Sequence, residues 1–247
     1  MEKKILLCIA IIVIAVLSFG CGGDLTGGSD NNDVYVINAS LVKNTFTDSA
    51  RIDVVLTKNG DTCHCADIQL GAIVLDTNAI GYYKIFDSSQ IIVDTVYTLN
   101  VRDSSSLNAN LTIRLANTVT ITDAGFRFYT GSAEAVSWTG GTNADGFILA
   151  STPPAGAVVD TGYTSYYSIL NGVIPVETFL INPTTRIIGI HKIYVAAYNG
   201  APVANSLLPF DLPKINIPAS NVNGSNISGR VAGIVISASD SIDVSAP

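Results

Sequence analysis

Cys63, His64 and Cys65 stand side by side in Gly60-Asp-Thr-Cys-His-Cys-Ala-Asp67, with Asp61 and Asp67 close on either side. Thiolates, an imidazole and carboxylates are the usual ligands of zinc, and thiols beside a histidine are the working groups of redox chemistry. Spacing decides what they can do together. In an extended strand the side chains alternate, so both sulfurs share one face and His64 points away from them. On that geometry a Cys63–Cys65 disulfide can close under strain, and strain makes such a bond easier to reduce. A turn would bring the histidine back to the thiols, and Gly60 and Asp61 favour one nearby. Three readings stay open: a disulfide or structural thiols, a metal site on Cys63, His64 and Cys65, and catalysis. Strand geometry favours the first.

Other chemical patterns dissolve on inspection. Ser40-Leu-Val-Lys43 matches the Ser-x-x-Lys of penicillin-binding enzymes, and Ser29-Asp-Asn31 matches another of their elements. Their order is reversed and no Lys-Thr-Gly follows, so Ser40 reads as an exposed strand serine. Two histidines, His64 and His191, are available to a Ser-His-Asp arrangement, yet neither has a Gly-x-Ser-x-Gly elbow to serve. His191 reads as a hydrogen-bonded strand residue. There is no zinc-protease helix, phosphate loop or dinucleotide fingerprint. Asp240 and Asp243 are too sparse for a calcium loop. These patterns imply no enzyme and no cofactor.

Tyrosines offer binding rather than reaction. Tyr163, Tyr166 and Tyr167 crowd one edge or loop, while Tyr194 and Tyr198 belong to the outward face of a later strand. Their rings combine broad contact area with a polar tip, which suits a sugar or a protein surface. Burial or cross-strand packing is the competing account of the same five rings.

The elements that must position these groups are strands. Ile52, Val54 and Leu56 alternate with Arg51, Asp53 and Thr57, and a hairpin turn is expected at Asn59-Gly60. Ile91, Val93, Tyr97, Leu99 and Val101 share a face, as do Leu111, Ile113 and Leu115. Polar clusters rich in Asp, Asn, Ser and Gly separate the runs, and no sustained helical period appears after the first twenty residues. The fold class expected is all-β, two β-sandwiches. The boundaries expected are 34–119 for the first and 120–214 for the second, with 215–247 one or two further strands of undecided attachment.

Three patches in the second half carry a family likeness. Val136 and Trp138 share a face in Ala135-Val-Ser-Trp-Thr-Gly-Gly141. Asp145-Gly-Phe-Ile-Leu-Ala150 follows at the spacing of a neighbouring strand. Much later, Ile193, Val195 and Ala197 point inward before an expected turn at Asn199-Gly200. Together these resemble a fibronectin type III domain over about residues 121–213, with an immunoglobulin-like relative close behind. The family ties a Pro-x-Thr corner to its late strand with a tyrosine. Here Pro183 and Thr185 are followed by extra residues, and His191 falls near the tyrosine's place. The resemblance implies a non-catalytic interaction module.

The amino terminus gives an address. Lys3 and Lys4 precede an uncharged run, Ile5 to Phe19, of secretory type. With Gly20 and Cys21 the segment resembles a bacterial lipoprotein signal, in which the cysteine after the cut is acylated. Leu17 stands one position early for that family's box, and Ser18 with Gly20 also forms an ordinary cleavage site. An uncleaved span remains a third reading. Residues 21–33 hold four glycines and read as a flexible linker with a reach of about 17–20 Å, long enough to hold a domain off a bilayer. The resemblance implies a signal peptide over 1–20, lipid on Cys21 and a cell-envelope location. An outer membrane lipoprotein facing periplasm or cell surface is the expectation. Removing two lysines and one glutamate with the leader, from 13 bases and 20 acids, leaves eight more acids than bases. That balance disfavours nucleic acid, leaving an unidentified protein or polysaccharide as the partner class.

Overall fold

Period-two alternation becomes strand along most of the chain, and no α-helix forms among the described residues. The computed structural model describes residues 33–104, 106–122, 126–157 and 162–246. The leader, Cys21 and the linker up to residue 32 lie outside them.

The first half starts with a hairpin of β1 (Tyr35–Asn44) and β2 (Ser49–Lys58), extended by β3 (Asp61–Thr62). Asn59 and Gly60 both take positive φ, 52° and 94°, between the partners Lys58 and Asp61. That is the two-residue turn whose twist suits a hairpin. The chain then turns into an opposing layer, β4 (Ala66–Leu70) and β5 (Ile73–Val74). It returns through β6 (Asp76–Thr77) and β7 (Tyr82–Phe86), and crosses again into β8 (Val96–Asp103) and β9 (Asn108–Arg114). Ile91 and Val93 precede β8 rather than belonging to it, though Ile91 is still buried in the same core.

The second half runs through β10 (Val119–Ile121), β11 (Phe126–Phe128), β12 (Glu134–Gly140), β13 (Gly146–Thr152), β14 (Tyr163–Tyr167) and β15 (Asn171–Ile174). A small ribbon, β16 (Leu180–Asn182) with β17 (Thr185–Arg186), leads to β18 (Gly189–Gly200). A strap over 201–221 follows, then β19 (Val222–Asn223) and β20 (Ile227–Val244).

β20 organises everything. Along one edge it pairs in parallel with β1, Tyr35 opposite Ile227 through Asn44 opposite Ile236, and beyond that with β11. Along the other it pairs antiparallel with β19 and then with β18. One eleven-stranded sheet results, running β14-β13-β18-β20-β1-β2-β7-β6 with β3, β11 and β19 appended. The four-stranded layer β5-β4-β8-β9 covers one half of it around Ile37, Ile52, Leu56, Ile68 and Leu99. The three-stranded layer β10-β12-β15 covers the other half around Trp138, Leu149, Phe179 and Val195. The all-β sandwich class expected from the alternation is what forms. The segment of undecided attachment proves to be the strand common to both halves.

A strand that serves two cores must face both correctly. Up to Val235 the odd-numbered residues of β20 point into the first core; after Ser237 the even-numbered Ala238, Ile242 and Val244 point into the second. The change of parity comes from a bulge against β18, where Val195 pairs with Ala238 but Ala196 with Ile236. Ser237 is the extra residue, and a bulge re-aims the strand that carries it. Its hydroxyl accepts from the Val119 N–H at 2.6 Å and donates to the Val119 C=O at 3.1 Å, so β10 is docked at the point of the bulge. Nearby, a Cβ on Gly233 would collide with the Arg114 carbonyl, where the chain passes over β20 from one core to the other.

The opposite face of the sheet is not left to water. Leu207, Leu208, Phe210 and Leu212 of the strap lie over Val42, Ile148, Ala196, Ile234 and Ile236 as a third core. Asn205 Nδ2 fastens one end, donating to the carbonyls of Ser40 and Arg51 at 2.9 and 3.3 Å. Asn221 fastens the other by exchanging two hydrogen bonds with Val231. Ile234, Val235 and Ile236 are thus fully buried on both faces of the sheet, each contributing about 1.5–3 kcal/mol by leaving water.

Two sequence expectations change. Asn199-Gly200 is not a turn: β18 continues through it, with Asn199 opposite Gly233 and buried, because β20 is long enough to pair with it. The Trp138 and Phe147 segments are not neighbours in one sheet but face each other across the second core, with ring centroids 5.7 Å apart.

Because β20 belongs to both cores, heating should unfold both halves in one calorimetric transition. Ile37→Ala in the first core and Ile242→Ala in the second should each lower the stability of that same transition by about 2–5 kcal/mol. Two resolved peaks, each moved by only one variant, would contradict the shared strand.

Candidate functional site

The cysteines occupy a corner. The Cys63 N–H donates to the Leu56 carbonyl at 2.8 Å, continuing the ladder of β2, and three residues later Ala66 opens β4 in the opposing layer. Between them a disulfide joins Cys63 to Cys65, with Cα atoms 5.3 Å apart. The Ala66 N–H donates to the Tyr82 hydroxyl at 3.0 Å, pinning the outgoing side of the corner. Cys63 is buried in the first core, while Cys65 and His64 are exposed. The imidazole lies beside the Tyr82 ring, centroids 5.9 Å apart. Among the described residues, no three His, Cys, Asp or Glu side chains converge as a metal site would require. With both sulfurs bonded to each other, neither offers the thiolate that a metal needs.

The five tyrosines are divided between two faces. Tyr163 and Tyr167 of β14 pack against the second core, their hydroxyls 2.8 Å apart. Tyr167 also stands edge-on to Trp138 and accepts from the Val173 N–H. Tyr166, Tyr194 and Tyr198 lie on the other face, in the third core. There Tyr166 meets Tyr198 edge-on at 5.4 Å and Tyr194 meets Phe210 of the strap at 5.8 Å. The outward face assigned to Tyr194 and Tyr198 is therefore a covered one, and Tyr198 keeps only 8% of its surface. Burial pushes the hydroxyls of Tyr163 and Tyr166 up to a pKa of about 12. These rings form cross-strand and strap contacts rather than an open stacking platform.

His191 is sealed on β18. Its Nε2 lies 3.0 Å from the Ile187 carbonyl, and its ring stands edge-on to Phe179 at 5.1 Å. The contact ties the corner after Pro183 and Thr185 to β18. Nδ1 is buried without a hydrogen-bond partner among the described residues. Ser40 is fully buried under the strap rather than exposed, and Lys43 points to the other face of β1, paired with Asp48 at 3.1 Å. No serine–lysine dyad exists. Asp240 faces the inner side, bridged to Arg127 at 2.8 Å, and Asp243 the outer, so the two carboxylates cannot share a cation.

The concave surface that sequence reading missed lies beside β14. A groove of about 940 Å³ runs between Tyr163–Ser165 and the strap, lined by Leu208, Phe210, Leu212 and Ile215. Ile215 is 76% exposed at its rim. Its signal was the apolar, proline-broken run Leu207-Leu-Pro-Phe-Asp-Leu-Pro213, too irregular for a strand and too apolar for a free loop. A second cleft of about 580 Å³ between β9 and β19 is lined by asparagines, among them Asn108, Asn110, Asn223 and Asn226.

No protein-family model matches this chain, and no curated protein is significantly similar to it. Among solved structures it is similar to the FN1–FN3 domains of chicken CNTN1, with 13% identity and a TM-score of 0.30. The match covers 65% of this chain and 59% of that one, so the chain spans less than two thirds of its length. A likeness that distant assigns neither family nor function.

Two measurements follow from the site. Burial holds the His191 pKa below its ordinary value of 6.5, against the pull of the Ile187 carbonyl. Below pH 6.5 the unfolded chain binds a proton that the folded one refuses, so stability falls with acidity from that pH downward. His191→Phe should flatten that slope in chemical denaturation between pH 7 and 5; an unchanged slope would mean another group carries it. Alkylation of denatured, unreduced protein should leave Cys63 and Cys65 unmodified, and both should react after reduction. Labelling before reduction would show free thiols.

Proposed function

We propose that this chain is a non-catalytic interaction or structural module of the bacterial cell envelope, held to a membrane by lipid on Cys21. The observation that carries the reading is the shared strand β20, which makes a single rigid sheet of two sandwiches. Rigid presentation of an edge and a groove is what a binding platform requires, since little order is then lost on association. The groups that looked chemical in sequence serve the fold instead: His191 ties a corner, Lys43 pairs with Asp48, and the cysteines close a sheet-to-sheet bend. Packing of all five tyrosines supports a protein partner over a polysaccharide one, because sugar recognition by stacking needs open ring faces. The leader and linker supply the address, and two or more acyl chains hold a protein stably where one does not.

Cys21→Ser should leave the protein out of the membrane fraction and abolish incorporation of labelled fatty acid. Unchanged fractionation of that variant would overturn the anchor.

A further inference from the structure

The large sheet ends differently on its two sides. At one end the outermost strands carry Asp76 on β6 and Lys84 on β7, ion-paired at 3.2 Å. Charges on an edge discourage another chain from pairing there. At the other end β14, Tyr163-Thr-Ser-Tyr-Tyr167, pairs with β13 on one side and with no strand among the described residues on the other. β14 has no charge and no proline, its pairing with β13 is free of register shifts, and residues 162–176 contain no charged side chain at all. Ile169, Leu170 and Val173, just beyond it, are exposed. A free edge of this kind presents backbone N–H and C=O groups to which only another extended backbone is complementary.

We propose that this edge joins two copies of the chain, β14 pairing antiparallel with β14 of a second copy about a twofold axis at Ser165. In that register Ser165 meets Ser165, Thr164 meets Tyr166, and Tyr163 meets Tyr167 of the second copy. A twofold contact sets each surface against itself, so every charge near the axis faces its own kind. Acidic side chains exceed basic ones by seven in this chain, which makes most of its surface repel a second copy. The uncharged run 162–176 does not, and the groove beside it sets one acid, Asp211, against one base, Lys214. Small Ser165 on the axis leaves room for close approach, and aromatic residues set against aromatic or β-branched ones are favourable cross-strand pairs. On the strap side, Thr164 and Tyr166 of the added strand extend over the groove lined by Leu208 and Leu212. The inference gives the platform proposed above a partner, and it rests on that reading's edge rather than on its anchor.

Residues from Asn32 to Pro247 form one compact unit holding all three cores, so residues 21–247 with Cys21→Ser suffice for the test without lipid-driven association. Sedimentation equilibrium at micromolar concentration should return a dimer. Ser165→Asp and Ser165→Lys, each shown by circular dichroism to fold, should each be monomeric, because the axis sets like charges together. Mixing the two in equal amounts should restore the dimer by pairing carboxylate with ammonium. A monomeric parent chain overturns the proposal while leaving the Cys21 fractionation result untouched. Single variants that stay dimeric, or a mixture that does not reassociate, overturn the register.

Discussion

The main-chain ladder of β20 is the constraint on which the rest of the molecule depends. A strand paired along both edges and buried on both faces has no tolerance for a shifted register, because a slip by one residue turns every side chain over. The chain needs such a shift once, between its two halves, and confines it to Ser237. The hydroxyl there does more than avoid a buried orphan: it docks the first strand of the second sandwich, Val119, at the place where the inward face changes parity. Losing it would strand the Val119 amide at a cost of about 1–3 kcal/mol. The glycine at 233 complements this by letting Arg114 and Leu115 cross close over β20.

Strand class was legible because alternation is a local property. Ile52, Val54 and Leu56 announce their buried face within six residues, and Asn59-Gly60 announces its turn from two residue types alone. Pairing is not local. Nothing in Ile227–Val244 reveals that its partners are a strand at residue 35 and another at residue 189, and its apolar run reads equally well as two short strands. The same limit explains the tyrosines. Alternation placed Tyr194 and Tyr198 on the outward face of their strand, but only the fold shows a strap lying across that face. It also explains Ser40, whose burial depends on Asn205 reaching it from 165 residues away.

Side chains that suggest reactivity in sequence are here spent on joints. The Cys63–Cys65 bridge and the Tyr82 hydroxyl hold the passage from one layer of the first sandwich to the other. His191 holds the equivalent corner of the second through Ile187. Polar groups at corners have a physical logic: the ladder is interrupted there, and the freed backbone groups need partners from side chains. The groove between β14 and the strap, and the uncharged run around β14, take no part in these joints.

The parallel pairing of β1 with β20 sets an order of events. Tyr35 finds its partner only after the ribosome has delivered Ile227, and closing so large a loop precedes any reward from the contacts it brings. Until then both halves of the large sheet lack the strand they share. A nascent chain of this design can complete neither core until β20 has been made.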